Sequence, residues 1–178
     1  MTSSARSTNT GAFKTRHFPL FTAGSRFTDN TVLREAKRSA TITDNNPEEI
    51  KAAQAVALEV FLARQGNTKD QIRASLKDHF GYDLDRTIED VRPGYRFDVS
   101  AQKSVPEAII AFLDLHDFDT AIRNAIWLGD DADTQACMAG ALAEAHYGAV
   151  PARIASDVRK RLPVGILSVV DAFDSMTT

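Results

Sequence analysis

The 178-residue chain contains one cysteine, Cys137, so it cannot form an intrachain disulfide. That usage predicts a reducing, cytoplasmic setting. Cys137 lies among Ala136, Met138 and Ala139 and reads as a small buried hydrophobe. The aspartates just upstream supply the opposite of the electropositive surroundings that a reactive thiolate needs. Long apolar runs are also missing. The best candidate, Val105 to Leu115, is interrupted by Glu107 and Asp114, well short of the roughly 18 residues of a membrane span. Neither sign of charge is in large excess: 21 basic side chains face 24 acidic ones, for a net charge of −3. The one basic triplet, Arg159-Lys160-Arg161, reads as a solvated helix face, so nothing marks the chain for nucleic acid or an anionic membrane. The four histidines, His17, His79, His116 and His146, have no metal-ligand spacing and read as surface or loop residues. No phosphate-binding glycine loop, dinucleotide fingerprint or nucleophile elbow is present.

What remains is an ordinary globular composition, 43% hydrophobic and 25% charged, long enough for one domain with a real core. Residues 1–27 carry no acidic side chain, a composition shared with transit peptides. Residues 1–17 read as a disordered tail and 18–178 as a single domain. The apolar Phe18-Pro19-Leu20-Phe21 packs as an extended segment. A short helix starts near Thr28 and runs through Val32, Leu33 and Ala36. Asn46, Pro47 and Glu49 open a second, with Ile50, Ala53, Ala57, Val60 and Phe61 on one face. Thr68 and Gln71 open a third, lined by Ile72, Leu76 and Phe80 and stopped at Gly81. Tyr82 to Lys103 is loop-rich, with a turn at Arg92-Pro93-Gly94, and Tyr95-Arg96-Phe97 is too short for a sheet. Further helices follow from Ser104, Asp117, Asp133 or Thr134, and Pro151, with Pro163 breaking the last. About six helices and no convincing strand make the class all-α, a compact multi-helix bundle.

The chemistry concentrates in two short runs. Gly129-Asp130-Asp131-Ala132-Asp133-Thr134 places three carboxylates and a hydroxyl at the start of a small-residue helix. Clustered hard oxygen donors suit Mg²⁺, Mn²⁺ or Ca²⁺ rather than zinc. A helix N-terminus repels a cation, so several carboxylates are needed to hold one there. The same residues also suit an N-cap with dipole-friendly surface charges. Thr28-Asp29-Asn30-Thr31 is a second such run and equally reads as a capped helix start. Trp127, just ahead of the first run, reads as a core anchor rather than a stacking platform.

Taken together, the runs resemble the ADP-ribosylglycohydrolase family over about residues 18 to 162. Phe18 to Phe21 with Gly24 to Val32 is similar to the family's Thr-Asp-Asp-Thr segment and its lead-in. Asn46-Pro47-Glu48-Glu49-Ile50-Lys51 is similar to its His-Pro-Glu-Gly-Ile-Lys segment. Ser104 to Ile109 and Ala125 to Thr134 resemble its C-terminal half. The resemblance implies an all-α fold with a two-metal Mg²⁺ or Mn²⁺ centre that hydrolyses the glycosidic bond between ADP-ribose and a protein side chain or small acceptor. By that resemblance Thr28, Asp29, Asp131, Asp133 and Thr134 are metal ligands, and Asp131 acts in catalysis through a metal-bound water. Ser100, Gln102 and Ser104 fall where the family has a substrate loop. The implied partners are an ADP-ribosylated protein or an ADP-ribose-containing small molecule.

The chain also departs from the family pattern. The family's opening Gly-Asp-rich segment, with its glutamate, has no counterpart before Phe18, and a central helical block is missing between Val32 and Asp44. Asn30 replaces an aspartate, and Asp130 a glycine. Two divalent cations carry four positive charges, against the three carboxylates of Asp29, Asp131 and Asp133. The expectation is weakened binding, one metal rather than two. Missing helices expose apolar surface, which predicts a homodimer or low stability. The alternatives to hydrolysis are a catalytically impaired derivative that binds metal or ADP-ribose without turnover, and a plain all-α interaction domain.

Overall fold

The computed structural model describes residues 28–43, 45–94, 100–114, 116–129 and 131–177. The expectations for Phe18 to Phe21, Asp44, Tyr95 to Phe97 and Asp130, and for the tail, lie outside these residues. The described residues contain nine α-helices and no strand, and the all-α class is the one observed. The chain divides into two compact units, the first ending at Gly148 and the second beginning at Ala149.

The first unit holds α1 (Asp29–Ala40), α2 (Pro47–Arg64), α3 (Lys69–Phe80), α4 (Ile88–Val91), α5 (Ala101–Leu113), α6 (Phe118–Leu128) and α7 (Ala132–Tyr147). A 3₁₀ turn, Arg92–Gly94, follows α4. Local chemistry sets most of the boundaries. The Asn46 side chain accepts the Glu48 N–H at 3.0 Å, with Pro47 as the first helical residue. Thr68 and Gln71 form a reciprocal capping box at 3.3 and 2.8 Å, and Thr87 with Asp90 repeats it on α4. Gly81 closes α3 at φ +66, a left-handed conformation that costs a glycine nothing.

Helix α2 is the centre of this unit. Its residues Ala52, Ala53, Ala55, Val56, Ala57, Leu58, Glu59, Val60, Phe61, Leu62 and Ala63 are all buried. The one-faced pattern expected from the sequence is thus replaced by burial on every face, because α1, α3, α5 and α7 pack around it. The alanines let those helices approach closely, and the Gln54 side-chain amide ties α1 on by donating to the Leu33 carbonyl at 2.9 Å.

Several other expectations are corrected. Helix α1 continues to Ala40, since Val32, Ala36 and Ala40 recur every fourth residue and are all buried. Helix α5 begins at Ala101, with Ser100 in the N-cap position, not at Ser104. Pro106 lies in its second turn, where it removes the one ladder bond that an N–H there would donate to the Gln102 carbonyl. The loop-rich stretch contains α4. Cys137 is exposed: the buried positions of α7 are Thr134, Gln135, Met138, Ala139, Leu142 and Ala143, and position 137 falls off that stripe.

The second unit consists of α8 (Ala152–Arg159) and α9 (Val164–Thr177), separated at Pro163 as the sequence suggests. Arg159 pairs with Asp171, and with Asp174 at 3.5 Å. None of its described residues is buried. No helix among the described residues is long and apolar enough to cross a membrane.

Glu59, at the heart of α2, is fully buried, and neither carboxyl oxygen has a hydrogen-bond partner. Burial pushes its pKa well above the usual carboxylate range, opposed only by attraction to Lys69. Burial also lowers Lys69, to about 8. The Lys69 ammonium donates to the Phe112 carbonyl at 2.6 Å and lies 4.5 Å from the Phe112 ring. His146 meets the same ring edge-on at 5.5 Å, so it is a packed helix residue rather than a loop one.

Because burial raises the folded-state pKa of Glu59 above its unfolded value, its stabilising contribution is complete below the ordinary carboxylate range and is lost as pH rises through the folded value. The variant Glu59→Leu is expected to be more stable than the parent at pH 7 by on the order of 1–3 kcal/mol, with the gap narrowing toward acid pH. Urea melts at the two pH values measure this. A variant less stable than the parent at pH 7 would mean that the Lys69 attraction outweighs the desolvation. Cys137, exposed on α7, is expected to take up one equivalent of a maleimide in the native protein, checked by intact mass.

Candidate functional site

The first acidic run lies at the connection between two antiparallel helices. Helix α6 ends at Leu128, and Gly129 turns the chain at φ +84. Asp131 then takes the N-cap position of α7 without capping it through its side chain. The helix therefore starts at Ala132, one residue before Asp133 and two before Thr134, the expected starts. The Asp131 side chain instead hydrogen-bonds to that of Asp133. This contact, more than the backbone N–H of Thr134, holds the Asp133 carboxyl below the usual carboxylate range. Two carboxyl groups in hydrogen-bond contact share a proton or a cation. Asp131 is half-buried and Asp133 exposed, while Thr134 and the following Gln135 are buried. The Gln135 side-chain oxygen Oε1 is itself fully buried.

The second run lies at the opening of α1. Thr28 is its N-cap residue without a side-chain cap bond, and its hydroxyl is 3.3 Å from that of Thr31. Thr28, Asp29 and Asn30 face the C-terminal end of α2 across a cavity of about 500 Å³, walled on the other side by Phe61, Leu62, Gln65 and Asn67. None of the described residues of the 131–134 run lines that cavity.

These positions test the expected two-metal centre. In kind, the oxygens of Asp131, Asp133 and Thr134 suit a hard divalent cation. In number they fall short: among the described residues, no group of three or more His, Cys, Asp or Glu side chains could hold a metal ion. The Asp131–Asp133 pair fits part of one cation's shell. The described residues do not by themselves supply a two-cation centre, and Thr28 and Asp29 line the cavity at the end of α2.

Ser100, Gln102 and Ser104 do not form a loop. Ser100 occupies the N-cap position of α5, Gln102 is exposed in the first turn, and Ser104 is buried, donating its hydroxyl to the Ser100 carbonyl at 3.0 Å. Ser104 is turned into the core, away from any ligand in solvent.

Trp127 is the clearest reversal. The buried stripe of α6 is Phe118, Ala121, Ala125 and Leu128, and Trp127 lies off it with 46% of its surface exposed. It is not a core anchor. The Arg92 guanidinium sits over its ring, 3.6 Å from the centroid. Beside it a groove of about 400 Å³ is lined by Ile88, Glu89, Asp114, Arg123, Asn124 and Trp127. The Ile88 N–H donates to the Asp114 carboxylate at 3.2 Å, drawing α4 to the end of α5 and forming one wall of the groove. Sequence reading missed Arg92: it lies in a proline-glycine turn with no motif, and only the fold brings it to Trp127.

A family model described as ADP-ribosylglycohydrolase matches residues 2–176 of the chain, beyond both ends of the stretch carried by the motifs. No curated protein matches it, and no solved structure does.

Arg92→Ala is expected to leave helicity unchanged. It should make Trp127, the only tryptophan, roughly twofold more accessible to acrylamide quenching, since an exposed cation–π contact is a small term. Unchanged quenching would mean that Arg92 does not shield the indole in solution.

Proposed function

The chain belongs to the ADP-ribosylglycohydrolase family, and on that premise we propose that it hydrolyses the glycosidic bond between ADP-ribose and a protein side chain or small acceptor, using the Asp131–Asp133 pair. The observation that carries this reading is the contact between two carboxyl groups at the opening of α7, within a chain matched by the family almost end to end.

The chemistry asked of the pair is modest. Asp133 is held ionised, so it can orient a water and take its proton as the water oxygen bonds to the anomeric carbon. The bond to the acceptor breaks, and the acceptor leaves with a proton from solvent. Asp131 holds the Asp133 carboxylate in place through their hydrogen bond. The two groups are too close to act as the separated acid and base of ordinary glycosidases, whose carboxyls stand about 5 Å or more apart, so they work as one unit. Asp131, Asp133 and Thr134 are the residues that would hold a divalent cation, Mg²⁺ or Mn²⁺, and its charge would stabilise negative charge developing beside the ribose.

A second reading, binding of metal or ADP-ribose without turnover, is favoured by the absence of a three-ligand cluster among the described residues. Calorimetric titration with Mn²⁺, followed by an assay for ADP-ribose release from a modified protein, separates the two. The first reading expects release by the parent and a fall of about 10²-fold or more in Asp133→Ala, the size expected for losing a general base. Mn²⁺ binding with no release under saturating metal selects the second reading. No binding and no release, with Asp131→Ala indistinguishable from the parent, would sink both.

A further inference from the structure

We infer that the groove beside Trp127 is a binding site for an adenine base, the indole serving as its stacking platform. The inference rests on the hydrolase reading for its choice of ligand, since ADP-ribose carries adenine at the end away from the bond that breaks. The site itself stands on its own geometry.

Three observations carry it. First, Trp127 keeps 46% of its surface exposed although it sits in the last turn of a packed helix. A large aromatic left open in this way costs hydration free energy, and it offers a flat face on which any base can stack. Second, the groove it lines is about 400 Å³, within the roughly 300–1,000 Å³ of small-molecule clefts. Third, the polar groups around the indole suit an amino-bearing base. The Asn124 side-chain amide can pair with the N6/N7 edge of adenine, the geometry by which asparagine reads that base. Arg123, the cation in the groove's lining, is engaged by Asp119 at 3.1 Å, which leaves the Glu89 and Asp114 carboxylates as acceptors for an exocyclic amine. They disfavour a base that presents a carbonyl oxygen there, because two acceptors would face each other.

Arg92 completes the site. Its guanidinium covers one face of the indole at 3.6 Å and fixes the ring in position. Trp127 is followed at once by the turn that leads to Asp131 and Asp133. The platform and the carboxyl pair therefore occupy the same end of the α6–α7 hairpin.

The single tryptophan supplies the test, because all indole fluorescence reports Trp127. The full chain is titrated with AMP, IMP, ADP-ribose and ribose 5-phosphate, without added metal. The inference expects saturable quenching by AMP and ADP-ribose, none by ribose 5-phosphate, and weaker quenching by IMP, which carries oxygen where AMP has its amine. By calorimetry, Trp127→Ala should weaken AMP binding about tenfold or more, while Trp127→Phe retains binding within a few fold. Far-UV circular dichroism confirms that both variants fold. AMP that neither quenches nor binds, or that binds Trp127→Ala as well as the parent, overturns the site. IMP equal to AMP overturns the role given to Asn124 and the carboxylates. Quenching by AMP in a protein that releases no ADP-ribose leaves the site standing and removes the hydrolase reading. Release that continues with unchanged KM in Trp127→Ala does the reverse.

Discussion

Burial of one helix on every side is the constraint on which the first unit depends. Helix α2 has alanine at five of its buried positions, so neighbouring backbones can come close without overpacking. Four helices use that access. Dense packing of this kind leaves little tolerance for a polar group. Glu59 therefore stands out, a carboxyl within the most crowded helix with no hydrogen-bond partner. Burial raises its pKa well above the usual carboxylate range, and the half-buried Lys69 is the one charge that opposes this. Lys69 in turn ties the start of α3 to the end of α5 through the Phe112 carbonyl and ring. The electrostatics of the core and its helix packing are thus linked at one point.

The candidate functional surface lies where that packing stops. The α6–α7 hairpin lays one stripe of each helix into the unit, and what faces away is left for chemistry. Trp127 and Asp133 are both exposed for this reason, and Thr134 is not. A hairpin whose two helices are both packed is rigid enough to hold two carboxyls in contact at the start of the second. The same rigidity gives the indole a stable orientation, reinforced by Arg92. The proposed stacking surface and the carboxyl pair lie at one end of that hairpin, the arrangement a substrate flat at one end and reactive at the other requires.

Most of the helices could be read from local signals. Asn46-Pro47, Thr68 with Gln71, and Asp117 are capping residues whose chemistry acts within three positions of chain, so their effect does not depend on the rest of the fold. Gly81 is the matching stop signal. The structure departs from these signals where local and tertiary terms compete. Ser104 with Pro106 and Glu107 has the look of a helix start, yet the helix opens one turn earlier because Ala101 is buried and its burial favours extending the helix. Helix α1 looked too polar to persist, and burial of Ala40 extends it. Cys137 and Trp127 are residue types at home in a core, yet both lie off the buried stripe of their helices.

The sequence by itself determined that the chain is helical, where most helices begin and end, and to which family its two acidic runs belong, because capping, periodicity and motif order are short-range or linear properties. Only the tertiary structure decided which faces are buried, since that depends on what packs opposite. It also decided that Asp131 and Asp133 pair with each other while Thr28 and Asp29 face the end of α2, and that an arginine from a distant turn meets the one tryptophan. Those outcomes depend on how helices far apart in the chain are set against one another, and no local rule carries that information.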